Sequence, residues 1–296
     1  RSEWKHHHSE SLVLDYSWTF HSPFEYSKRK ILMRLEIAVV DAFTEKAFSG
    51  NPAGVCLLDE PLEKELMQSI AMEMNLSETA FVQKTENPNH FSLRWFTPTL
   101  EIDLCGHATL ASSFWMLQKG WAEAGETIHF HTLSGELRVI GNEDGLEMNF
   151  PLIPTFEDLH PHFKSELFGE KIISAAQLRK NWIFELESAE AVKRLKPDFM
   201  EIAAHSEEGF IITAAGNEDF DIVSRFFGPN VGVPEDPVTG FAHCALMDFW
   251  YQKTGKMQLK AYQASKRGGK LFLEKHDDRV ILRGKAVAVL QGFIEV

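Results

Sequence analysis

Alternation of apolar and polar positions becomes regular from Leu35 onward. LEIAVVDAF (35–43) predicts a strand ending near Asp41, and GNPAGVCLL (50–58) opens on a turn signal and continues as an apolar strand. In LEKELMQSIAMEM (62–74), Leu66, Ile70 and Met74 recur at helical spacing and define one face. TAFVQK (79–84) and HFSLRWFT (90–97) read as strands separated by the turn Asn87-Pro88-Asn89. ATLASSFWMLQK (108–119) is small, apolar and free of breakers until Gly120, the pattern of a helix buried on most sides. Residues 127–150 read as a strand meander with turns at Ser134-Gly135 and Glu143-Asp144-Gly145, and Pro151 and Pro154 bracket a linker.

The second half repeats the alternation. NWIFELES (181–188) predicts a strand, AEAVKRLKPDF (189–199) a short helix stopped by Pro197, and GFIITAAG (209–216) another strand. IVSRFFGPNVGVPEDPVTG (222–240) reads as a long breaker-rich loop, FAHCALMDFWYQK (241–253) as a helix stopped by Gly255, and 279–296 as strands. Short helices interleaved with many strands, without a βαβ series, predict an α+β fold. Shifting the chain by 134 residues lays GHATLASSFWMLQK (106–119) over GFAHCALMDFWYQK (240–253) with five of 14 positions identical, including Gly106/Gly240 and Ala108/Ala242. The expectation is a duplicated domain with one buried helix per copy, both N-termini directed into the cleft between the copies.

Composition narrows the function. Hydrophobic residues at 44% and charged residues at 25% describe a globular chain, and 30 Lys plus Arg against 43 Asp plus Glu leave a net charge of −13. That acidic excess argues against nucleic acid as a partner, because tracking phosphates takes a basic face. No apolar run approaches the roughly 18–20 residues that cross a bilayer, so no membrane partner is expected. Cys56, Cys105 and Cys244 are too few and too scattered for a disulfide framework, which points to a reducing, cytoplasmic setting. Residues 1–32 differ from the rest: Asp15 interrupts their apolar stretch, and His6, His7 and His8 read as a tag remnant or upstream read-through, with Met33 as the natural start.

Candidate chemistry gathers at the two helix starts. Cys105-Gly106-His107 precedes the first and Glu235-Asp236-Pro237-Val238-Thr239-Gly240 the second. Unpaired N–H groups and a partial positive charge suit a helix N-terminus to an anionic ligand, and glycine allows that ligand close to the backbone. Taken singly, Asp236 reads as a cap or turn residue, His107 as a structural histidine and Cys105 as a small core residue; their pairing at two related helix ends makes a site. Glu78, between a helix and an apolar strand, is a candidate acid/base whose carboxyl partial desolvation would raise. Asn51, in a Ser-Gly-Asn-Pro turn, offers an amide to a ligand.

FSGNPAGV (48–55), NLSETAFV (75–82), FTPTLEIDLCGHAT (96–109) and EDPVTGFAH (235–243) occur in the order and spacing of the phenazine-biosynthesis PhzF-like family, which the chain resembles from Met33 to Val296. The resemblance implies the diaminopimelate-epimerase fold: two similar halves, each an antiparallel sheet around a central helix, with the site between them. It implies domains at 33–150 and 151–284, the first completed by the strand 285–296, and a homodimer. It carries the family's acid/base glutamate to Glu78, its glycine–histidine pair to Gly106 and His107, and its aspartate to Asp236. Two-thiol epimerases of this fold have cysteines at the places of Cys105 and Asp236; this chain lacks the second. Where the family usually has a serine after the glycine, this chain has Phe241, a bulky apolar ring in place of a hydroxyl donor. The expected activity is a cofactor-independent isomerase moving a proton on a small carboxylate-bearing metabolite, with Gly106, Gly240 and Phe241 at the substrate. No Rossmann, Walker or HExxH motif calls for a nucleotide or metal. The alternatives are a racemase using Cys105 as its thiol base and a scaffold or interaction protein without turnover.

Overall fold

A computed structural model describes residues 33–296. The reading of residues 1–32 as a tag remnant or read-through segment lies outside the described residues.

The first half runs β1 (Arg34–Ala42), β2 (Asn51–Leu58), α1 (Lys64–Met74), β3 (Glu78–Lys84), β4 (His90–Phe96), β5 (Glu101–Ile102), α2 (Gly106–Gln118), β6 (Thr127–Thr132), β7 (Gly135–Asn142) and β8 (Gly145–Pro151). Two short strands, β9 (Phe156–Glu157) and β10 (Glu166–Leu167), lead into the second. It runs β11 (Glu170–Leu178), β12 (Asn181–Leu186), α3 (Ala189–Arg194), α4 (Phe199–His205), β13 (Gly209–Ala215), β14 (Ile222–Gly228), a 3₁₀ turn (Pro229–Val231), β15 (Val233–Asp236), α5 (Gly240–Thr254), β16 (Gln258–Gln263), β17 (Gly269–His276) and β18 (Arg279–Gly284). The last strand, β19 (Ala286–Glu295), returns to pair antiparallel with β1 along its whole length.

The two halves share one pairing scheme. β1–β2, β3–β4, β6–β7 and β7–β8 are antiparallel while β2–β3 and β4–β6 are parallel. Adding ten to every strand number describes β11–β12, β12–β13, β13–β14, β14–β16, β16–β17 and β17–β18 with the same senses. An antiparallel β8–β18 pairing joins the halves. This is the α+β, two-similar-halves fold, each half with a sheet wrapped around a central helix.

Three details differ from the sequence reading. The sheet is mixed: four parallel pairs each need a crossover, and α1, α2, the α3–α4 pair and α5 supply them within otherwise antiparallel runs. The stretch 222–240, expected as a loop, contains β14 and β15. All seven residues of β14 are buried, so its Ile-Val-Ser-Arg-Phe-Phe run has no alternation to read, and its polar members are paired: Arg225 forks onto Glu235 and Ser224 donates to His243. After Pro197 a further helix, α4, starts at Asp198, whose side chain accepts from the N–H groups of Met200 and Glu201.

Both central helices carry almost no amphipathic contrast, because sheet surrounds them. Ala108, Leu110, Ala111 and Met116 of α2, and Ala245, Leu246 and Met247 of α5, lie fully buried in one core cluster spanning the two halves. A second cluster fills the space under α3 and α4, and a third lies between α1 and the β1–β3 side. Among the described residues no helix is long and apolar enough to cross a membrane.

Candidate active site

Element ends bring the site residues together. Asn51 is the first residue of β2, Glu78 the first of β3, His107 the second of α2 and Asp236 the last of β15. The parallel β2–β3 register sets Ala53 opposite Glu78, so Asn51 and Glu78 enter the site from neighbouring strand starts. Cys105 and Thr239, the residues capping α2 and α5, are extended, and neither side chain caps its helix. The helices meet end to end: a Cβ placed on Gly106 stands 3.6 Å from the Gly240 α-carbon, and the reverse distance is also 3.6 Å.

Around this meeting point lies a buried polar cluster. His107 Nε2 is 3.1 Å from Glu78 Oε2, and His107 Nδ1 is 3.5 Å from Cys105 Sγ. Asn51 Nδ2 donates to Asp236 Oδ1 and to the Val238 carbonyl, each at 2.9 Å, and the Thr239 hydroxyl donates to Asp236 Oδ2. The amide expected to face a ligand thus spends both hydrogens on the Asp236 loop, leaving its oxygen free. Glu78 Oε2, His107 Nε2 and Asn51 Oδ1 are buried without an aligned hydrogen-bond partner. Glu78 Oε2 and His107 Nε2 have only each other at hand, at 3.1 Å, and a buried polar atom left without a partner costs about 1–3 kcal/mol, which makes this cluster the candidate site.

The electrostatics follow from burial and neighbours. Burial by itself pushes His107 down, but its close pairing with Cys105 and with the Glu78 carboxylate outweighs that and holds the imidazole well above its ordinary 6.5. Burial, reinforced by the Glu78 charge, raises the Cys105 thiol, with His107 opposing. Asp236 is pushed up to about 6, chiefly by burial, against the lowering influence of His107, Thr239 and Asn51. Glu78, Cys105 and His107 also place one oxygen, one sulfur and one nitrogen within 4.8 Å of one another, a donor set of the kind that holds transition metals.

Three supports escaped the sequence reading. Gln263, fully buried, donates to the Asp236 carbonyl and accepts from the Thr239 N–H, which fixes the turn between β15 and α5. Arg267 binds the buried Asp41 carboxylate and the carbonyls of Ser49 and Gly50, holding the turn that delivers Asn51. His243 donates from Nδ1 to the Thr239 carbonyl, and burial lowers it to about 4, so it stays neutral. None had a local signal except His243, whose i+4 spacing from Thr239 on one helix was visible.

A cavity of about 340 Å³ is lined by Gly106, Gly240, Phe241, Phe150, Ile153 and Arg179, among others. Phe241 is half-buried: it faces this cavity and also packs against the shared core. Glu78, His107 and Asp236 do not line it. A larger cavity, about 630 Å³, is bordered by Phe43, Lys270 and Arg283 and shares no residue with the cluster.

The fold is epimerase-like. A hydroxyproline epimerase from Agrobacterium vitis shares the fold at TM-score 0.59 and 8% identity, over 89% of this chain and 93% of that one. At the level of family, the model described as "Phenazine biosynthesis-like protein" matches residues 40–292, and the chain belongs to that family. A Halalkalibacterium halodurans protein named an uncharacterized isomerase is 42% identical over 263 residues, covering 88% of this chain and 98% of its own. The human phenazine biosynthesis-like domain-containing protein is 39% identical over 286 residues, with 88% and 99% covered. The crystal structure of a PhzF-family phenazine biosynthesis protein from Enterococcus faecalis superposes with TM-score 0.82 at 40% identity, over 89% of this chain and all of that one.

Proposed function

We propose that the chain is a cofactor-independent isomerase that moves a proton on a small carboxylate-bearing metabolite, with Glu78 as the general acid/base. The observation that carries this reading is the 3.1 Å approach of Glu78 Oε2 to His107 Nε2, both atoms buried and both lacking an aligned partner. A protonated His107 balances the charge of the Glu78 carboxylate and offers an N–H to the substrate atom on which charge develops. Asp236 orients the other wall through Asn51 and Thr239. The substrate carboxylate is assigned to the first-turn N–H groups at Gly106 and Gly240, whose helices have no side-chain cap. Because the 340 Å³ cavity reaches those glycines but not Glu78, substrate entry on this reading opens the cleft at the helix ends.

Burial keeps the Cys105 thiol protonated, so little thiolate is available to act as a base, and position 236 supplies no second thiol; the one-sided carboxylate reading is therefore preferred over a racemase. The domain limits 33–150 and 151–284, with 285–296 completing the first, form part of the proposal. So do a reducing, cytoplasmic setting, supported by three buried free cysteines, and a homodimer, supported by the exposed Leu290 and Phe293 on β19.

The test is incubation in D₂O with a panel of small amino acids and unsaturated acids, followed by mass spectrometry. Deuterium uptake into one acid by the wild type, abolished in Glu78→Gln, is the expected result. No uptake into any acid would favour the scaffold reading, and uptake unchanged in Glu78→Gln would remove the residue from the mechanism.

A further inference from the structure

Far along the chain from the Glu78 cluster, three donors converge from two separate segments. His162 lies in the stretch after β9, while Glu201 and His205 stand one turn apart on α4. One donor atom from each lies within 4.8 Å of the other two, and His162 Nε2 is 2.8 Å from Glu201 Oε1. The rings of His162 and His205 stack with centroids 4.0 Å apart at an interplanar angle of 22°.

The surroundings fix how these donors point. His205 Nδ1 donates to the Glu201 carbonyl at 2.9 Å, which sets the tautomer and leaves the Nε2 lone pair free. A ring N–H donated to a backbone carbonyl is the usual support of a metal-binding imidazole. His160, buried among Phe163, Trp182 and Phe210, donates from Nε2 to the His205 carbonyl and accepts the His162 N–H at Nδ1. One rigid histidine therefore ties together the backbones carrying the other two. Asp198 caps the same helix by accepting from the Glu201 N–H, so the Glu201 backbone is also held.

We infer that His162, Glu201 and His205 form a binding site for a divalent transition ion of the zinc class, which clamps the 160–163 segment to α4 and leaves its remaining positions to water. Two imidazole nitrogens and one carboxylate oxygen suit such an ion, whose bonds of about 2.0–2.2 Å set donors roughly 3.4 Å apart. The rings of His162 and His205 lie nearly parallel, so binding turns at least one imidazole out of the stack until both in-plane lone pairs meet at the ion. Without an ion, the same geometry is a half-exposed His162–Glu201 pair with a stacked imidazole, and the experiment separates the two.

Zinc alone is titrated calorimetrically into the chelator-treated full chain carrying His6→Ala, His7→Ala and His8→Ala, since that tract has its own affinity for zinc. The comparison is the same chain with His162→Ala and Glu201→Gln, and the Cys105→Ser chain controls for the Glu78–Cys105–His107 donor set. The expected result is one equivalent of zinc that Cys105→Ser retains and the His162/Glu201 variant loses, with affinity down at least about 100-fold. The thermal midpoint should rise with zinc in the former and stay constant in the latter. Zinc uptake equal in both, or no uptake by either, overturns the assignment. Both readouts are independent of turnover, so they stand or fall apart from the proposed isomerase activity.

Discussion

Gly106 and Gly240 face each other across the junction of the two central helices, each α-carbon 3.6 Å from the position a side chain on the other would take. One methyl fits, since 3.6 Å is ordinary contact and the next atoms, on Phe150 and Leu282, are no closer. Two methyls aim at the same gap. Gly106→Ala and Gly240→Ala should each change stability by less than about 1 kcal/mol, because neither glycine needs a positive φ. The double variant should lose clearly more than the sum. Urea unfolding of all four chains measures the difference, and simple additivity would show that the ends are free to part.

Asp236 should leave its signature in the pH dependence of stability. Its carboxyl sits at about 6 in the fold against an ordinary 3.8. Between those values the folded chain holds a proton that the unfolded chain has released. The contribution is therefore full below about 3.8 and lost as pH rises through about 6, a difference of roughly 3 kcal/mol. Asp236→Asn should flatten that part of the profile relative to wild type. Denaturation midpoints of the two proteins at pH 4 to 8 give the comparison; parallel curves would mean the carboxyl is not shifted.

Cys105→Ser should keep most of the activity. The thiol touches His107 at 3.5 Å but burial opposes its ionisation, and serine preserves a polar atom there. Deuterium exchange rates within about a hundredfold of wild type are expected, and a greater loss, over roughly 2.7 kcal/mol of barrier, would revive the thiol base.

Phe241→Ser should widen ligand acceptance toward hydroxylated cyclic acids, because the ring lines the cavity beside Gly106 and Gly240. The ring also packs on the core, so about 2 kcal/mol of stability should go with it. Exchange at Glu78 should persist. Measured substrate range and ligand affinity that do not move would show that the ring serves packing alone.

The motifs around Asn51, Glu78, Gly106–His107 and Asp236 were legible because each sits at an element boundary, where turn glycines and prolines break the hydrophobic period. β14 was not, since a strand buried on both faces carries no alternation, and the groups that hold its Arg225 there, Glu235 and the Val192 and Leu195 carbonyls, come from other elements. α4 was hidden behind Pro197, although Asp198 and Glu201 stand at capping-box spacing. Arg267 and Gln263 act on residues 226 and 27 positions away, respectively, and no local pattern reports such a contact.

By itself, then, the chain's order of residues determined the duplication: the shift of 134 that aligns the two helices also separates the starts of β7 and β17, at Gly135 and Gly269, and those of β8 and β18, at Gly145 and Arg279. It determined the acidic surface as well, and the short list of acid, imidazole and thiol that chemistry has to draw on. Only the tertiary structure decided which of them interact. Hydrophobic periodicity reports which face of an element turns inward, a property of a few consecutive residues. The Glu78–His107 distance, the burial that lifts Asp236, and the meeting of His162 with Glu201 depend on how separate elements pack, and that is set by the whole core at once.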